Sequence, residues 1–412
     1  MTAAAAPRSS GWFLAWSVAL APLLLIAVGW GHELSPARDF ARSYALPIVA
    51  VELTVAVVAL VETRQFPPLP RLAAALLVLL GAVALFSAVH APDRATSLFM
   101  TLIWLGHLFF GFGVYLLVRH RRLTARQLIR TMPLAFALFG ALLIGFYALH
   151  SGHQHDWYYD SPPFNNIRWI GYYCAATVGL CAWGWLENRT PWLAIAIFAL
   201  AFALWTGSRG SLVAVVGGYL AALPFLPAAV RATPRFLGAV LLAALLALAA
   251  SWIVPFSGGS AERLLFEQGD SGRIEIWGQA IRAIGQRPWF GWGEAQFGTL
   301  LQSRLAQPHN ILLQITLAWG VTGLALIAAL ATMLAKKLRR NIRPQNAPLM
   351  FAICNIAIFS LIDGSLFHVQ SVSIFALCLA LLAADDGDEG HRGVDPDSRA
   401  NALPNAGLHR PE

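Results

Sequence analysis

Twelve long apolar stretches run through the chain, and they constrain the fold more than any other feature. Their approximate spans are 11–30, 46–62, 72–90, 96–118, 131–149, 167–186, 192–206, 211–229, 237–255, 311–335, 347–363 and 369–384. Each is about 15–25 residues long, the range that can cross a bilayer core of roughly 30 Å. In lipid every backbone N–H and C=O has to be satisfied within the chain, so such runs become helices. Composition agrees: 58% of the 412 residues are hydrophobic and 12% are charged, where a soluble domain carries about 25% charged residues. So few charges exclude a disordered chain, a coiled coil and most soluble folds. The expected fold is an all-α polytopic membrane protein with about twelve transmembrane helices, forming a single domain over residues 1–384.

The charges that remain sort by topology. Short loops on one side hold Arg64, Arg71, Arg119, Arg121, Arg122, Arg126, Arg130, Arg189, Arg231, Arg235, Lys336, Lys337, Arg339, Arg340 and Arg343. The short loops opposite hold Arg38, Arg42, Arg94, Arg168 and Arg209. Lys and Arg accumulate in cytoplasmic loops, so both termini are expected in the cytoplasm. The net charge of +8 then reflects orientation, and no nucleic-acid partner is expected. The first apolar run is long and lacks a clear cleavage site, which makes it a retained anchor. The tail 385–412 is polar and expected to be disordered. Cys174, Cys181, Cys354 and Cys378 lie in apolar runs, with no metal-site or disulfide spacing.

Residues 256–310 form by far the longest loop, on the outer side between the ninth and tenth runs. A loop of that length without structure of its own is uncommon. Ile274, Trp277, Ile281 and Ile284 share one helical face, with Gln279, Arg282 and Gln286 opposite, and Gly285 and Pro288 end the helix. Phe297, Leu300, Leu301 and Leu305 give a second stripe. The expectation is two short amphipathic helices lying on the outer membrane interface.

Polar groups concentrate beside the spans at a few outer positions. In Thr206-Gly207-Ser208-Arg209-Gly210-Ser211 the glycines allow close backbone approach to an anion and Arg209 supplies charge; a tight turn with a snorkelling arginine also explains it. Asp270 or Ser271 is a candidate helix cap. Arg273 falls in the first helical turn, where a lone cation opposes the helix dipole unless an anion sits there. His309 and Asn310 open the tenth run; Asn310 suits a cap, and His309 has the pKa range for proton transfer near neutrality. Arg168 lies at a membrane boundary after Phe164-Asn165-Asn166-Ile167, and snorkelling is sufficient to explain it. His150, His153, His155 and Asp156 match no strong ligand spacing, so no metal site is expected. Within the runs, Glu52 and His107 stand one per span, and Asp363 lies near an outer boundary and is set aside.

Several of these pieces, taken together, resemble a family. Ser208-Arg209-Gly210, then Gly272-Arg273 with Trp277, then Pro288-x-Phe290-Gly291-x-Gly293, then His309-Asn310-x-x-Leu313-Gln314, then Trp319-Gly320 and Gly323 look like the bacterial O-antigen ligase/polymerase superfamily, over roughly residues 165–325. The resemblance implies a GT-C-like glycosyltransferase of the bacterial inner membrane, with the long loop and active site on the periplasmic face. The implied donor is a glycan on undecaprenyl diphosphate, and the implied acceptor of a ligase is a lipid A-core hydroxyl. Transfer is implied to be inverting, metal-independent and without cofactor. Carried over residue by residue, His309 is the catalytic position and Arg209 and Arg273 bind diphosphate, with Arg168, Trp277, Arg287 and Asn310 as supporting candidates. A polymerase or a protein O-oligosaccharyltransferase would use the same carrier. A lipid-linked glycan transporter is disfavoured by the absence of an internal repeat and by the helical outer loop.

Overall fold

The computed structural model describes residues 9–29, 44–66, 69–149, 161, 164, 166–253, 272–302, 307–339 and 342–384. The described residues are helical, with one isolated bridge between Ser161 and Phe164 and no strand. The helices are α1 Ser9–Gly29, α2 Leu46–Thr63, α3 Arg71–Val89, α4 Arg94–Arg119, α5 Ala125–Leu149, α6 Ile170–Leu180, α7 Trp183–Leu186, α8 Thr190–Trp205, α9 Arg209–Ala222 and α10 Thr233–Ile253. They continue with α11 Arg273–Gln286, α12 Phe297–Leu301, α13 Ile311–Arg339, α14 Ala347–Asp363 and α15 Val369–Ala384.

Every apolar run forms helix, yet only eight of these helices are long and apolar enough to cross a membrane. Thr190–Trp205, Arg209–Phe225 and Val369–Ala384 are shorter apolar helices. The run at 167–186 is broken into a 3-10 turn at Ile167–Trp169 followed by α6 and α7. At 1.5 Å per residue α6 is only about 16 Å long. The expected count of twelve full spans is therefore coarser in the structure: eight long helices and a set of short ones. All of α6 is buried, and this accounts for its length: it lies inside the protein rather than against lipid.

Small residues let the central helices approach closely, as membrane helix pairs do. A Cβ on Gly179 of α6 would collide with the backbone of Ala352 on α14, and one on Gly218 of α9 would collide with Asn355. Asn355 in turn donates from Nδ2 to the Ala175 carbonyl at 2.9 Å. Glu52 and His107, which stand apart in sequence, meet in space: Nδ1 of His107 lies 2.7 Å from Oε2 of Glu52, and both are buried between α2 and α4.

The loop after α11 and the middle of α13 lock together. Gly320 sits at φ 68°, ψ −175° and breaks α13, a conformation essentially restricted to glycine. The break frees backbone groups, and residues 288–293 take them up. Trp292 and Gly293 donate their N–H groups to the carbonyls of Leu317 and Ala318 at 2.8 and 2.9 Å, while Val321 and Thr322 donate to the carbonyls of Pro288 and Trp289 at 2.8 and 3.3 Å. Gly291, at φ 69°, passes so close to α13 that a Cβ would meet the Leu317 and Ala318 carbonyls. The Pro-x-Phe-Gly-x-Gly and Trp-Gly signatures are thus two halves of one backbone clamp.

Helix α11 forms where its periodicity predicts, over Arg273–Gln286, with Gly272 as its cap at φ 74°. Asp270 and Ser271 lie outside the described residues. The face packed against the rest of the protein is not the isoleucine stripe alone. Ala280 and Ala283, with Ile276 and Ile284, pack against Phe297 and Leu317, whereas Ile274 and Ile281 are 72% and 59% exposed. The helix is apolar on two sides, and its alanines allow the closer approach to α13. In α12, Phe297, Leu300 and Leu301 pack into the same cluster; Leu305 lies outside the described residues.

Candidate active site

The starts of α6, α9, α11 and α13 and the end of α14 collect at one end of the bundle. Pro308-His309-Asn310 leads into α13. Asn310 caps it, accepting from the Leu313 N–H at 3.1 Å, and donates from Nδ2 to the Leu361 carbonyl at 2.8 Å. This second bond ties the entry of α13 to the last turn of α14. Between these anchors His309 adopts φ 54°, unusual for any residue but glycine.

Asp363 organises the site. Nδ1 of His309 lies 2.9 Å from its Oδ1, and Nη2 of Arg273 lies 3.4 Å from its Oδ2. The Tyr172 hydroxyl donates to its backbone carbonyl at 3.3 Å. The three side chains remain partly open: His309 is 25% exposed, Asp363 21% and Arg273 31%. Arg273 is the first residue of α11 and Asp363 the last of α14. Each opposes its own helix dipole, and pairing them offsets both.

The remaining candidates fall into two groups. Arg168 lies in the 3-10 turn Ile167–Trp169 that leads into α6, one turn before Tyr172. Arg209 opens α9 after the left-handed Gly207. A Cβ on the next residue, Gly210, would strike the Phe359 ring, one turn before Asp363. Ser208 and Ser211 pack here as well: their hydroxyls are 2.8 Å apart, and Ser211 donates to the Gly171 carbonyl at 3.2 Å. Trp277 is half-buried one turn along α11 from Arg273. Arg287 is elsewhere. It lies 4.0 Å over the Trp292 ring and donates to the His90 carbonyl at 3.0 Å, so it fastens the clamp to the end of α3. The His153, His155 and Asp156 cluster, with His150, lies outside the described residues.

Sequence reasoning set Asp363 aside, yet an acid at the C-terminal end of an apolar helix carries the same dipole mismatch that singles out Arg273. Glu294 was also missed. It is 1% exposed in the clamp loop, where its carboxylate accepts from Gln314 Nε2 at 3.1 Å. Burial pushes its pKa up to about 7, against the opposing hydrogen bond from Gln314.

Residues 174–328 match the family model described as O-antigen ligase. Over this segment the chain is similar to the O-antigen ligase superfamily. An O-antigen ligase of Pseudomonas aeruginosa is similar to the chain, at 33% identity over 153 residues, which is 35% of each protein. The alignment thus spans about a third of that relative's length. The matched segment holds Arg209, Arg273, Trp277, Arg287, His309 and Asn310 together with the clamp. Arg168 and Tyr172 precede it, and Asp363 follows it.

Proposed function

We propose that the protein is an O-antigen ligase-type glycosyltransferase. In this reading it transfers a glycan from undecaprenyl diphosphate to a lipid A-core hydroxyl at the periplasmic face of the bacterial inner membrane, with both termini in the cytoplasm. The observation that carries the reading is the shared carboxylate of Asp363, which brings an imidazole and a guanidinium together at one end of the bundle.

The chemistry follows from that arrangement. Asp363 accepts a hydrogen bond from Nδ1–H of His309 and so leaves Nε2 as the basic nitrogen. The acceptor hydroxyl gives its proton to Nε2 while its oxygen attacks the anomeric carbon. The bond from that carbon to the diphosphate breaks, and undecaprenyl diphosphate leaves with the electron pair. One displacement inverts the anomeric centre. Charge grows on the leaving group, and Arg209 and Arg273, with Arg168 nearby, are fixed cations that meet it. The Arg273–Asp363 pair is partly exposed, and such a pair contributes only about 0–1 kcal/mol. A diphosphate, with its bidentate fit to guanidinium, competes readily for Arg273. No metal ion or cofactor is required by this scheme.

The deciding experiment uses the detergent-purified protein with carrier-linked glycan and lipid A-core. The expected result is glycan attached to the core without a membrane gradient, abolished in His309→Ala with expression unchanged. Rescue of chain length in a polymerase-null strain, with no effect on attachment in a ligase-null strain, would favour the polymerase and overturn the ligase reading.

A further inference from the structure

The scheme above gives no task to His368, the residue immediately before α15. Its ring is 7% exposed. It lies against Trp169, with centroids 4.3 Å apart, and stacks on Tyr172 at 4.9 Å. Burial pushes its pKa down to about 3, with the charge of Asp363 opposing and that of His309 reinforcing the shift. The imidazole is therefore neutral and offers one acceptor nitrogen. Gln307 fills it, its Nε2 donating to His368 Nε2 at 3.2 Å.

Gln307 stands two residues before His309 and also reaches the residue that follows Asp363. Gly364, which follows Asp363 and sits at φ 61°, lies so close that a Cβ would collide with the Gln307 side-chain oxygen. His368 thus joins three pieces: the turn carrying Arg168 and Trp169, the segment Gln307–His309, and the end of α14. The left-handed backbone of His309 persists only where its surroundings hold it. Asn310 anchors it from behind, and Gln307 anchors it from in front.

We propose that His368 is a positioning residue for the transfer reaction: through Gln307 it holds the turn at His309 in register with Asp363. This inference rests on the role of His309 proposed above. An error of about 1 Å in a catalytic group costs up to about 100-fold in rate, so loss of one of two anchors is expected to lower kcat about tenfold.

Transfer by the purified wild-type protein is measured first; its absence rejects the proposed function itself. His368→Phe keeps a ring against Trp169 and Tyr172 but removes the acceptor. The expected result is a kcat about tenfold lower, with KM for donor and acceptor within about twofold of wild type. Gln307→Leu is expected to show the same loss, and the double variant to fall no further than either single variant. A His368→Phe rate within twofold of wild type overturns the inference, as does a double variant whose losses multiply. If His368→Phe does not purify as a folded protein, Gln307→Leu carries the test alone, and an undiminished kcat there overturns the proposal.

Discussion

Replacing Glu294 by glutamine should stabilise the protein, and only above mildly acidic pH. The carboxyl is buried, and its pKa is raised from 4.5 to about 7. A raised carboxyl pKa means that the folded state holds the proton more tightly than the unfolded state. Below pH 4.5 both states are protonated and nothing is lost. As the pH rises from there to about 7 the unfolded state ionises first, and stability falls throughout that window. Each unit is worth about 1.4 kcal/mol, so between pH 5 and pH 8 the wild type should lose about 2–3 kcal/mol that Glu294→Gln does not lose. Glutamine keeps an oxygen to accept from Gln314, so the packing of the clamp is retained. Thermal unfolding of both proteins in detergent at pH 5, 6, 7 and 8 is the measurement. The two melting curves should lie close together at pH 5 and separate by several degrees at pH 8, with the variant higher. Parallel curves across this range, or a less stable variant at pH 8, would refute the argument that burial dominates the environment of Glu294.

Three further outcomes follow. Asp363→Asn should lower kcat by about 10²–10⁴, because an amide can donate to Nδ1 of His309 and so favour the wrong tautomer; a steady-state assay with wild-type-like expression checks this. Arg273→Lys should recover only part of the activity lost in Arg273→Ala, since an ammonium lacks the bidentate fork, and a donor KM equal to wild type in Arg273→Ala would count against diphosphate binding there. Gly320→Ala should destabilise by about 2–4 kcal/mol, as it combines a disfavoured backbone conformation with a clash against Trp289; an unchanged melting temperature would contradict the clamp.

Much of the fold was legible because lipid allows few alternatives: every apolar run became helix. The number of full crossings was less legible, since α6 owes its short length to neighbours such as Ala352 that hydropathy does not reveal. For the site, dipole mismatch and motif order led to Arg273 and His309. The same mismatch at Asp363 was visible, but its partners lie 54 and 90 positions away in the chain, beyond any local pattern. Arg287 shows the converse. It belongs to the motif region, yet its contacts with Trp292 and His90 are structural. The packed face of α11 could not be read because isoleucines and alanines lie on different sides, and only the position of α13 decides between them.

The break at Gly320 also divides a helix that is longer than one membrane crossing needs. Helix α13 has 29 residues, about 43 Å of helix, which exceeds a hydrocarbon core of roughly 30 Å. Its basic end at Lys336 and Lys337 suits a headgroup layer. Counting back about 20 residues from there reaches Leu317, close to the break. The segment Ile311–Thr316, about 9 Å of helix, is then surplus over one core thickness. In the proposed reaction this surplus would lift His309 toward the headgroups, the level at which a sugar hydroxyl and a carrier diphosphate would meet while the carrier's hydrocarbon tail stays in the membrane.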